Sequence, residues 1–550
     1  MRFSENLYKA FLEVMQDLEN FRMTYAAVHP TSSLDSDDPD VKRLIEAMAF
    51  FSARTHTAGI RHIVAARRRL FRQFFPYLLS PLPAMGILQV QPTGRFVDSI
   101  FLPKNSEIAV STESEGPAIF RTLCALNILP ITVRSLNMAP LPGSGYRVAI
   151  RISAPFPVTE KIERLSFYIN HLNDYHASMR VFFSLKRSLK KAAVVFDDTT
   201  DAAAKARACS TRFGIPYSHA DIAIQHPLQQ ERLFFHFPQQ ELFLEIGMGA
   251  SPREWRQFTL LLDLDDKWPK NLHLNREIFQ LFSTPIMNLQ HAMAQPFICD
   301  GTKERYPIRH MEPEKGFEFH SVLGVYKNEK TGTEPIGPGI LSGDQVSYEI
   351  EQDVTRDGKN QYWLDLHFPQ AFDTPKTILL DALWLQPWLS SVMRQKLEIA
   401  PYNKSIAGLK WGLCGDLVPH AENTFQDETE GFMHLLTLKN KSMLNIDETV
   451  GILRILGSVH RGRFKGIIDL LTDIQATEKP LQSKTAGGGL LKLVYILKFA
   501  GLNPAVLPLI ETFARHVGRI LDLWISAAKV EVKVEITGQA AGRTAAGGRQ

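Results

Sequence analysis

The sequence has few cysteines, and none of them are spaced for a metal site. Only four occur in 550 residues. No two form a CxxC pair, which excludes a zinc knuckle and a redox dithiol. Sparse cysteines in a long chain fit a reducing compartment, where we expect buried thiols. They are Cys124, Cys209, Cys299 and Cys414.

Long hydrophobic runs are also missing. No stretch approaches the ~20 continuous apolar residues that a membrane-spanning helix needs. The nearest, residues 489–497, is interrupted by Lys492 and followed by Lys498. The N-terminal segment carries acidic residues throughout and has no apolar core, so no signal peptide is predicted. We therefore expect a soluble, cytoplasmic protein.

The common catalytic motifs are absent as well. The sequence contains no HExxH, GxSxG or Walker loop, and no GxGxxG that follows a strand. Gly487, Gly488 and Gly489 lack the Lys-Ser/Thr of a phosphate loop and are interpreted as a turn. Histidines are scattered, without the i, i+4 partner of a metal site. Those considered as ligands, but expected on a helix face or in a core, are His434, His460 and His516.

Clustered carboxylates are the one feature that favours an enzyme. Asp263, Asp265 and Asp266 follow an apolar run and are candidates for acid–base or metal chemistry. Because they end a predicted buried strand, a solvated acidic turn is the preferred interpretation. The sequence predicts no enzyme, cofactor or metal. A multidomain carbohydrate-active enzyme using paired carboxylates remains the alternative.

The chain has little net charge, and its basic residues are dense at one point. The formal charge of +4 gives no overall argument for nucleic acid or a membrane. The local cluster consists of Arg67, Arg68, Arg69 and Arg72, at the end of a predicted helix. It is either a surface for an acidic partner or nucleic acid, or a solvated face where cations suit the helix C-terminus. Both interpretations stay open.

What the chain does have is the composition of a large globular protein. Hydrophobic residues make up 45% and charged residues 22%, and the length suggests about three to four domains. The 34 phenylalanines suit cores and permanent interfaces, because Phe buries a large area without a polar group.

The N-terminus predicts two long helices. Apolar residues recur at spacings of four and three, as along the seam of a helix bundle, and predict a stripe that buries against partner helices. A second helix is predicted to begin with Asp38 as its cap and Pro39 at its first position, and to end before Pro76. The stripe consists of Leu7, Phe11, Val14, Leu18, Phe21 and Tyr25.

Beyond residue 80 the periodicity becomes that of strands. Alternating segments such as YRVAIRI (146–152) are separated by Pro, Gly and Ser. The run 258–266 is predicted to be a buried strand, and 327–344 a long polar loop. Near the end, a helix over 508–528 presents Phe513, Val517, Ile520 and Trp524 on one face, and the strand KVEVKVEI follows.

Together these patterns predict an α+β multidomain fold. It comprises an N-terminal helical bundle segment, several mostly antiparallel β-rich domains and a C-terminal helix–strand unit. The predicted regions are 1–80 (helical), 81–250 (first β-rich domain), 251–400 (second, wing-like), 401–537 (C-terminal α+β) and 538–550 (a disordered tail).

Several segments, in order along the chain, resemble the TssF (VasA/ImpG) family of the type VI secretion system. The most specific is FFPYLLSPLPAMGILQVQP (74–92), which is similar to the family's Tyr-Pro-His-Tyr-Leu-x-Pro-Ile-Pro-Ser-Met passage. DPDVKRLIEAMAFFSART (38–55), HPLQQERLFFHFPQQELFLEIG (226–247) and STPIMNLQHAMAQPFICDGTKERYPIRH (283–310) extend the resemblance, which spans about residues 5–537. The Trp-rich stretch 383–412 and the C-terminal ending depart from the family pattern.

The resemblance implies a non-catalytic subunit of the secretion-system baseplate. Members are expected to form a wedge, with two copies joining one TssG-like subunit, and to bind TssK and TssE. Such wedges surround the VgrG spike and support assembly of the tube and sheath. On this interpretation the stripe on the first helix contacts partner helices, and a basic-helix nucleic-acid-binding protein is a further alternative.

Overall fold

The structure is a computed structural model of the 550-residue chain. It describes residues 5–29, 39–113, 116–196, 206–217, 226–249, 254–303, 305–329, 332–339, 345–354, 360–369, 374–393, 395–402, 404–422, 429–439, 441–457, 462–480, 491–501, 505–525 and 528–537. These residues form two compact units, one drawn from 1–79 with 425–437 and the other from 80–424 with 438–550.

The first unit is helical. Its helices are α1 (Glu5–Val28), α2 (Pro39–Phe74), the short α3 (Pro76–Leu79) and most of the helix Thr429–Lys439. Both predicted N-terminal helices are confirmed, and α2 begins at Pro39 and ends before Pro76 as proline geometry requires. α1 packs against α2, and Ala49 and Ala53 of α2 are completely buried.

The second unit opens with a six-stranded sheet of β23, β3, β4, β14, β1 and β24 in that order. The strands are β1 (Met85–Pro92), β3 (Glu107–Ser111), β4 (Ala118–Thr122), β14 (Ser283–Met287), β23 (Glu398–Pro401) and β24 (Leu409–Leu413); β2 (Ile100–Leu102) and β5 (Leu126–Ile128) form a separate pair. Strands distant in sequence therefore share one sheet.

An eight-stranded sheet follows, in the order β13, β8, β11, β10, β9, β12, β7, β6. Its strands are β6 (Thr132–Pro140), β7 (Tyr146–Val158), β8 (Arg164–Ile169), β9 (Leu189–Phe196), β10 (Arg207–Phe213), β11 (Phe243–Gly247), β12 (Trp255–Leu264) and β13 (Phe279–Leu281), with helices α4 (Tyr175–Ser188) and α5 (Pro227–His236) between them in sequence. β12 lies between β7 and β9, and Leu260, Leu261 and Leu262 are buried, which confirms the predicted buried strand.

A third sheet of eight strands covers residues 290–385. Its strands are β15 (Gln290–Met293), β16 (Phe297–Cys299), β17 (Arg305–Pro307), β18 (Glu318–Glu329), β19 (Gly332–Pro338), β20 (Ser347–Val354), β21 (Asn360–His367) and β22 (Lys376–Leu385). The prediction of a loop over 327–344 was wrong, because β18 pairs with β19 across it. The strand at 332–338 has little alternation of apolar residues, so its own residues carry no strand signal.

The C-terminal part combines helices with a three-stranded sheet. Its elements are α6 (Leu389–Val392), α7 (Thr429–Lys439), α8 (Ile446–Ile455), α9 (Lys465–Ile468), β25 (Leu471–Pro480), β26 (Leu491–Ala500), α10 (Leu507–Trp524) and β27 (Ala528–Thr537). The predicted closing helix and strand are confirmed, and Phe513, Val517, Ile520 and Trp524 of α10 are all buried.

A buried ionic cluster joins α10 to α5. His516 Nδ1 lies 2.6 Å from the carboxylate of Glu231, and its ring stacks on Phe234 at 3.4 Å between centroids. Arg515 lies 2.6 Å from Glu241. Burial alone would raise the pKa of Glu241, but His516 and Arg515 lower it to about 2. These contacts fix the closing helix on the central part of this unit.

Buried side chains also hold the proline passage that carries the most specific part of the resemblance. Arg232 Nη1 donates to the carbonyl of Ser80 at 3.1 Å. His320 Nε2 and His236 Nε2 each lie 3.0 Å from a carbonyl, that of Pro81 and that of Pro83 respectively. Burial lowers the pKa of each histidine to about 4, so both are neutral donors near pH 7.

The architecture is the predicted α+β multidomain fold, with mostly antiparallel sheets between an N-terminal helical segment and a C-terminal helix–strand unit. The predicted domain boundaries stay a prediction. Two sheets take strands from both sides of them: β12 pairs with β7 across residue 250, and β24 pairs with β1 across residue 400.

Candidate partner-binding surface

The predicted stripe lies along α1, and its exposure changes along the helix. Leu7, Phe11, Val14 and Leu18 are half-buried. Phe21 is 65% exposed and Tyr25 is 36% exposed. In a water-soluble monomer a stripe of this length normally faces a core, so the open end of α1 offers apolar surface for another chain.

A second apolar row lies on α2 and is not among the predicted contacts. Leu44, Met48 and Phe51 follow each other at spacings of four and three and are 61%, 55% and 63% exposed. At 3.6 residues per turn they lie on the side of α2 opposite the buried Ala49 and Ala53. The spacing is visible in the segment RLIEAMAFF, but spacing alone does not say which apolar face of a helix is covered.

Among the described residues, the two rows leave the α1–α2 helices incompletely covered. Further exposed apolar side chains lie on both helices: Tyr8, Leu12, Met23, Val28, Ile60 and Ile63. Helices bind partner helices through rows of this kind, at positions i, i+3, i+4 and i+7. We define the apolar hairpin surface as Phe21 and Tyr25 of α1 with Leu44, Met48 and Phe51 of α2.

The basic face predicted at the end of α2 lies on the described helix backbone. The side chains of Arg67, Arg68, Arg69 and Arg72 are outside the described part of the structure. Whether they contact an acidic partner or solvent stays a prediction.

The acidic cluster considered for catalysis has structural contacts instead. Asp263 accepts two hydrogen bonds from Arg147 across paired strands, at 2.7 and 3.0 Å. Asp265 is buried, and its carboxylate accepts the backbone N–H of Lys267 at 3.0 Å, as in a turn. The preferred interpretation of this segment as a turn after a buried strand is in agreement with these contacts.

The cysteines and histidines do not assemble into a site within the described residues. Cys299 and Cys414 are buried, whereas Cys124 and Cys209 are half-buried, so the expectation of four buried thiols was wrong for two. Burial raises the pKa of Cys124 and Cys414 to about 12, which keeps them protonated. Across the described ranges, no three His, Cys, Asp or Glu side chains are grouped to hold a metal ion.

Of the other histidines and glycines considered, His516 is buried in α10 and His434 is exposed on α7. His460 and the glycines 487–489 lie outside the described residues. Within the described helices, none combines the length and apolarity needed to cross a membrane.

Comparison with known proteins gives one consistent result. The family model described as "Type VI secretion system, TssF" matches residues 8–348, more than half of the chain. The type VI secretion system component TssF1 of Pseudomonas aeruginosa (strain PAO1) is 22% identical over 353 residues. That region is 58% of this chain and 56% of the relative, so the chain matches little more than half of the relative's length.

Solved structures extend the likeness in fold to nearly the whole chain. A chain of the type VI secretion system TssK-TssF-TssG baseplate subcomplex superposes with a TM-score of 0.69 at 17% identity, covering 92% of this chain and 97% of that one. A chain of the type VI secretion system baseplate complex superposes with a TM-score of 0.57 at 15% identity, with 96% of each chain covered. The family model ends at residue 348, and the likeness in fold continues beyond it.

Proposed function

The chain belongs to the TssF family of the type VI secretion system, and we propose that it is a structural, non-catalytic subunit of that system's baseplate. The family match is the observation that carries this proposal. The structural neighbours named as baseplate subunits support it. So do the contacts of Asp263 and Asp265, which use the acidic cluster within the fold.

The role proposed is that of a wedge component. Two copies of the chain join one TssG-like subunit, and the wedge binds TssK, TssE and the VgrG spike. In this way the protein contributes to the platform on which tube and sheath assemble. It works at the cytoplasmic side of the secretion complex, and its relation to the membrane is indirect.

The apolar hairpin surface is the contact that we assign to the TssG-like subunit. Apolar residues at spacings of three and four form a ridge along a helix, and such a ridge packs into the groove between side chains of a partner helix. The exposed rows on α1 and α2 therefore suit helices of another chain. Burying five large side chains of this kind contributes about 1.5–3 kcal/mol each before the cost of association is subtracted.

Affinity purification of the tagged full-length chain from cells that express its secretion-system genes tests the proposal. We expect the TssG-like subunit and TssK to co-purify, with TssE and VgrG in the larger assemblies. Recovery of the chain with none of these proteins would contradict the wedge role. Catalytic turnover by the purified chain on a carbohydrate would contradict the non-catalytic assignment.

A further inference from the structure

The strand β27 is incompletely covered. It is an end strand of the sheet β25–β26–β27 among the strands that the structure describes, and it runs parallel to β26. On the face toward α10, β26 has side chains that are no more than 3% exposed, such as Leu493 and Tyr495. Their register neighbours on β27, Val530 and Val532, are only half-buried. The apolar row of β27 therefore has room for a further neighbour.

A groove of about 460 Å³ follows this row between β27 and α10. It is lined by alternate residues of the strand and by one face of the helix: Val530, Val532, Val534, Glu511, Ala514, Arg515, Gly518, Arg519 and Asp522. A Cβ atom on Gly518 would lie 3.0 Å from Val532 Cγ2, so glycine lets the helix approach the strand closely. Because alternate strand residues line it, the groove runs along β27 and fits an extended segment.

The backbone of β27 has hydrogen-bonding groups on its open side. The N–H of Val530 donates to the carboxylate of Asp522 on α10 at 2.8 Å, so this group points away from β26. Backbone groups of successive strand residues alternate between the two sides of a strand. The N–H and C=O of Val532 and Val534 therefore face the same open side. An added strand would pair with them there, and it would replace the Asp522 carboxylate at the N–H of Val530.

The opposite face of β27 carries charges of alternating sign. Lys529, Glu531, Lys533 and Glu535 occupy alternate positions and point away from α10. In an antiparallel pair of two β27 strands centred on Val532, Lys529 stands opposite Glu535 of the second copy, and Glu531 stands opposite Lys533. All four cross-strand charge pairs are then attractive. Centring on Lys533 instead places Lys opposite Lys and Glu opposite Glu, which is repulsive.

We propose that β27 pairs antiparallel with β27 of a second copy of this chain, with Val532 at the two-fold axis. A two-fold interface uses the same patch on both subunits and must be self-complementary, as this charge order is. The pairing joins two three-stranded sheets into one of six strands, and the valines of each copy add to the apolar row that the other leaves half-buried. An edge strand that must stay unpaired usually carries Lys or Pro, which discourage pairing. β27 instead carries an order of charges that is complementary to its own.

This pairing would be the contact between the two copies in a wedge, so its place in the baseplate rests on the proposed function. It is tested with the chain alone. Failure of the pairing leaves binding to the TssG-like subunit unaffected, and failure of the wedge role leaves self-association measurable.

Sedimentation of two charge-reversed variants, separately and mixed, provides the test. In a homodimer of Lys529→Glu, two carboxylates face each other across the strand pair, and in a homodimer of Glu535→Lys, two ammonium groups do. Each variant alone has two repulsive pairs, whereas the mixed dimer has only attractive ones. Within its own sheet, position 529 lies beside Lys492 of β26, which pairs with Glu531. Lys529→Glu therefore replaces a like charge beside Lys492 by an opposite one, and the sheet should stay folded. Position 535 lies beside Lys498, which keeps its ion pair with Asp473 in Glu535→Lys.

We expect the wild-type chain to dimerise at micromolar concentration and each variant alone to have a dimer dissociation constant raised about tenfold or more. An equimolar mixture should return to the wild-type value. Lys410→Glu is the matched control, an exposed lysine on the end strand β24, and should dimerise like the wild type. A monomeric wild-type chain, variants that dimerise normally, or a mixture no tighter than its components would overturn the pairing.

Discussion

At the scale of single residues, the carboxylate of Glu231 has one buried contact, with His516, and one exposed ion pair, with Arg519. His516 lies 2.6 Å from it with both side chains less than 10% exposed. Arg519 lies 3.5 Å from it but is 55% exposed. Only the buried contact should matter strongly for stability, because solvent screens the other.

Replacing His516 by Ala should therefore destabilise the second unit strongly. The change leaves Glu231 buried without its close partner and removes the ring stacked on Phe234, at a cost of about 3–5 kcal/mol. Arg519→Ala is the matched control and should cost about 1 kcal/mol or less. Urea unfolding followed by circular dichroism measures both; equal effects would mean that the two contacts are equivalent.

The buried histidines of the proline passage predict a loss of stability in mild acid. The pKa values of His236 and His320 are about 4 in the folded chain, below the ordinary value near 6.5, chiefly because burial disfavours the charged ring. The unfolded chain therefore binds more protons below pH 6.5. Stability should fall between about pH 6.5 and pH 4, by up to about 3 kcal/mol for each histidine.

Urea unfolding at several pH values checks this, with His320→Gln as the comparison. The variant should lose the part of the pH dependence that His320 contributes in that window. Glu241 acts in a lower window, since its pKa of about 2 makes its contribution disappear only as pH falls from about 4.5. A stability that is flat between pH 6.5 and pH 4 would contradict the neutral, buried histidines.

At the scale of elements, substitutions on the apolar hairpin surface should weaken partner binding without affecting the folding of the chain. Phe21→Asp combined with Phe51→Asp places charges on both exposed rows. Since both side chains are more than 60% exposed, the thermal melting temperature of the chain should change little. Binding to the TssG-like subunit should weaken at least a hundredfold, because two desolvated charges would face apolar helices.

The matched control is Asn20→Asp, which adds the same charge to α1. Asn20 is exposed and lies on the polar face of the helix with Glu13 and Asp17. Isothermal titration should give this variant the affinity of the wild type. If the double variant binds normally, the TssG-like subunit binds at another surface. If the double variant unfolds, the two rows belong to an internal core.

The same helices illustrate how far sequence reasoning reaches. The two prolines predict both ends of α2 to within a residue or two, and the 3–4 spacing predicts that α1 is a helix, since both signals are local. The row Leu44–Met48–Phe51 has the same spacing, but its exposure depends on which face of α2 meets α1, and that is a tertiary fact. β19 was not predicted for a related reason. Its own side chains do not alternate, and it is a strand because it pairs with β18.

At the scale of the whole molecule, the change from helical to strand periodicity can be predicted from the sequence, whereas the pairing of distant strands cannot. The change from helical to extended periodicity near residue 80 coincides with the division between the two compact units. The six-stranded sheet, by contrast, joins β1 to β14 and to β24, from regions nearly two hundred and more than three hundred residues away. Antiparallel pairing between distant segments leaves no periodic signal in either of them.

The proposed role of a structural baseplate subunit requires a rigid body and surfaces for other subunits. The sheets and the α5–α10 ionic cluster suit the first requirement, and the apolar hairpin surface and β27 are the surfaces proposed for the second. Phe21→Asp with Phe51→Asp changes the apolar hairpin surface, and Lys529→Glu or Glu535→Lys changes β27. The two proposed contacts can therefore be removed independently.

Native mass spectrometry of the full-length chain co-expressed with its TssG-like subunit tests whether this chain is a wedge subunit. We expect a stable complex that contains two copies of this chain and one TssG-like subunit. A chain that remains a monomer of 62.1 kDa in the presence of an intact TssG-like subunit would contradict it.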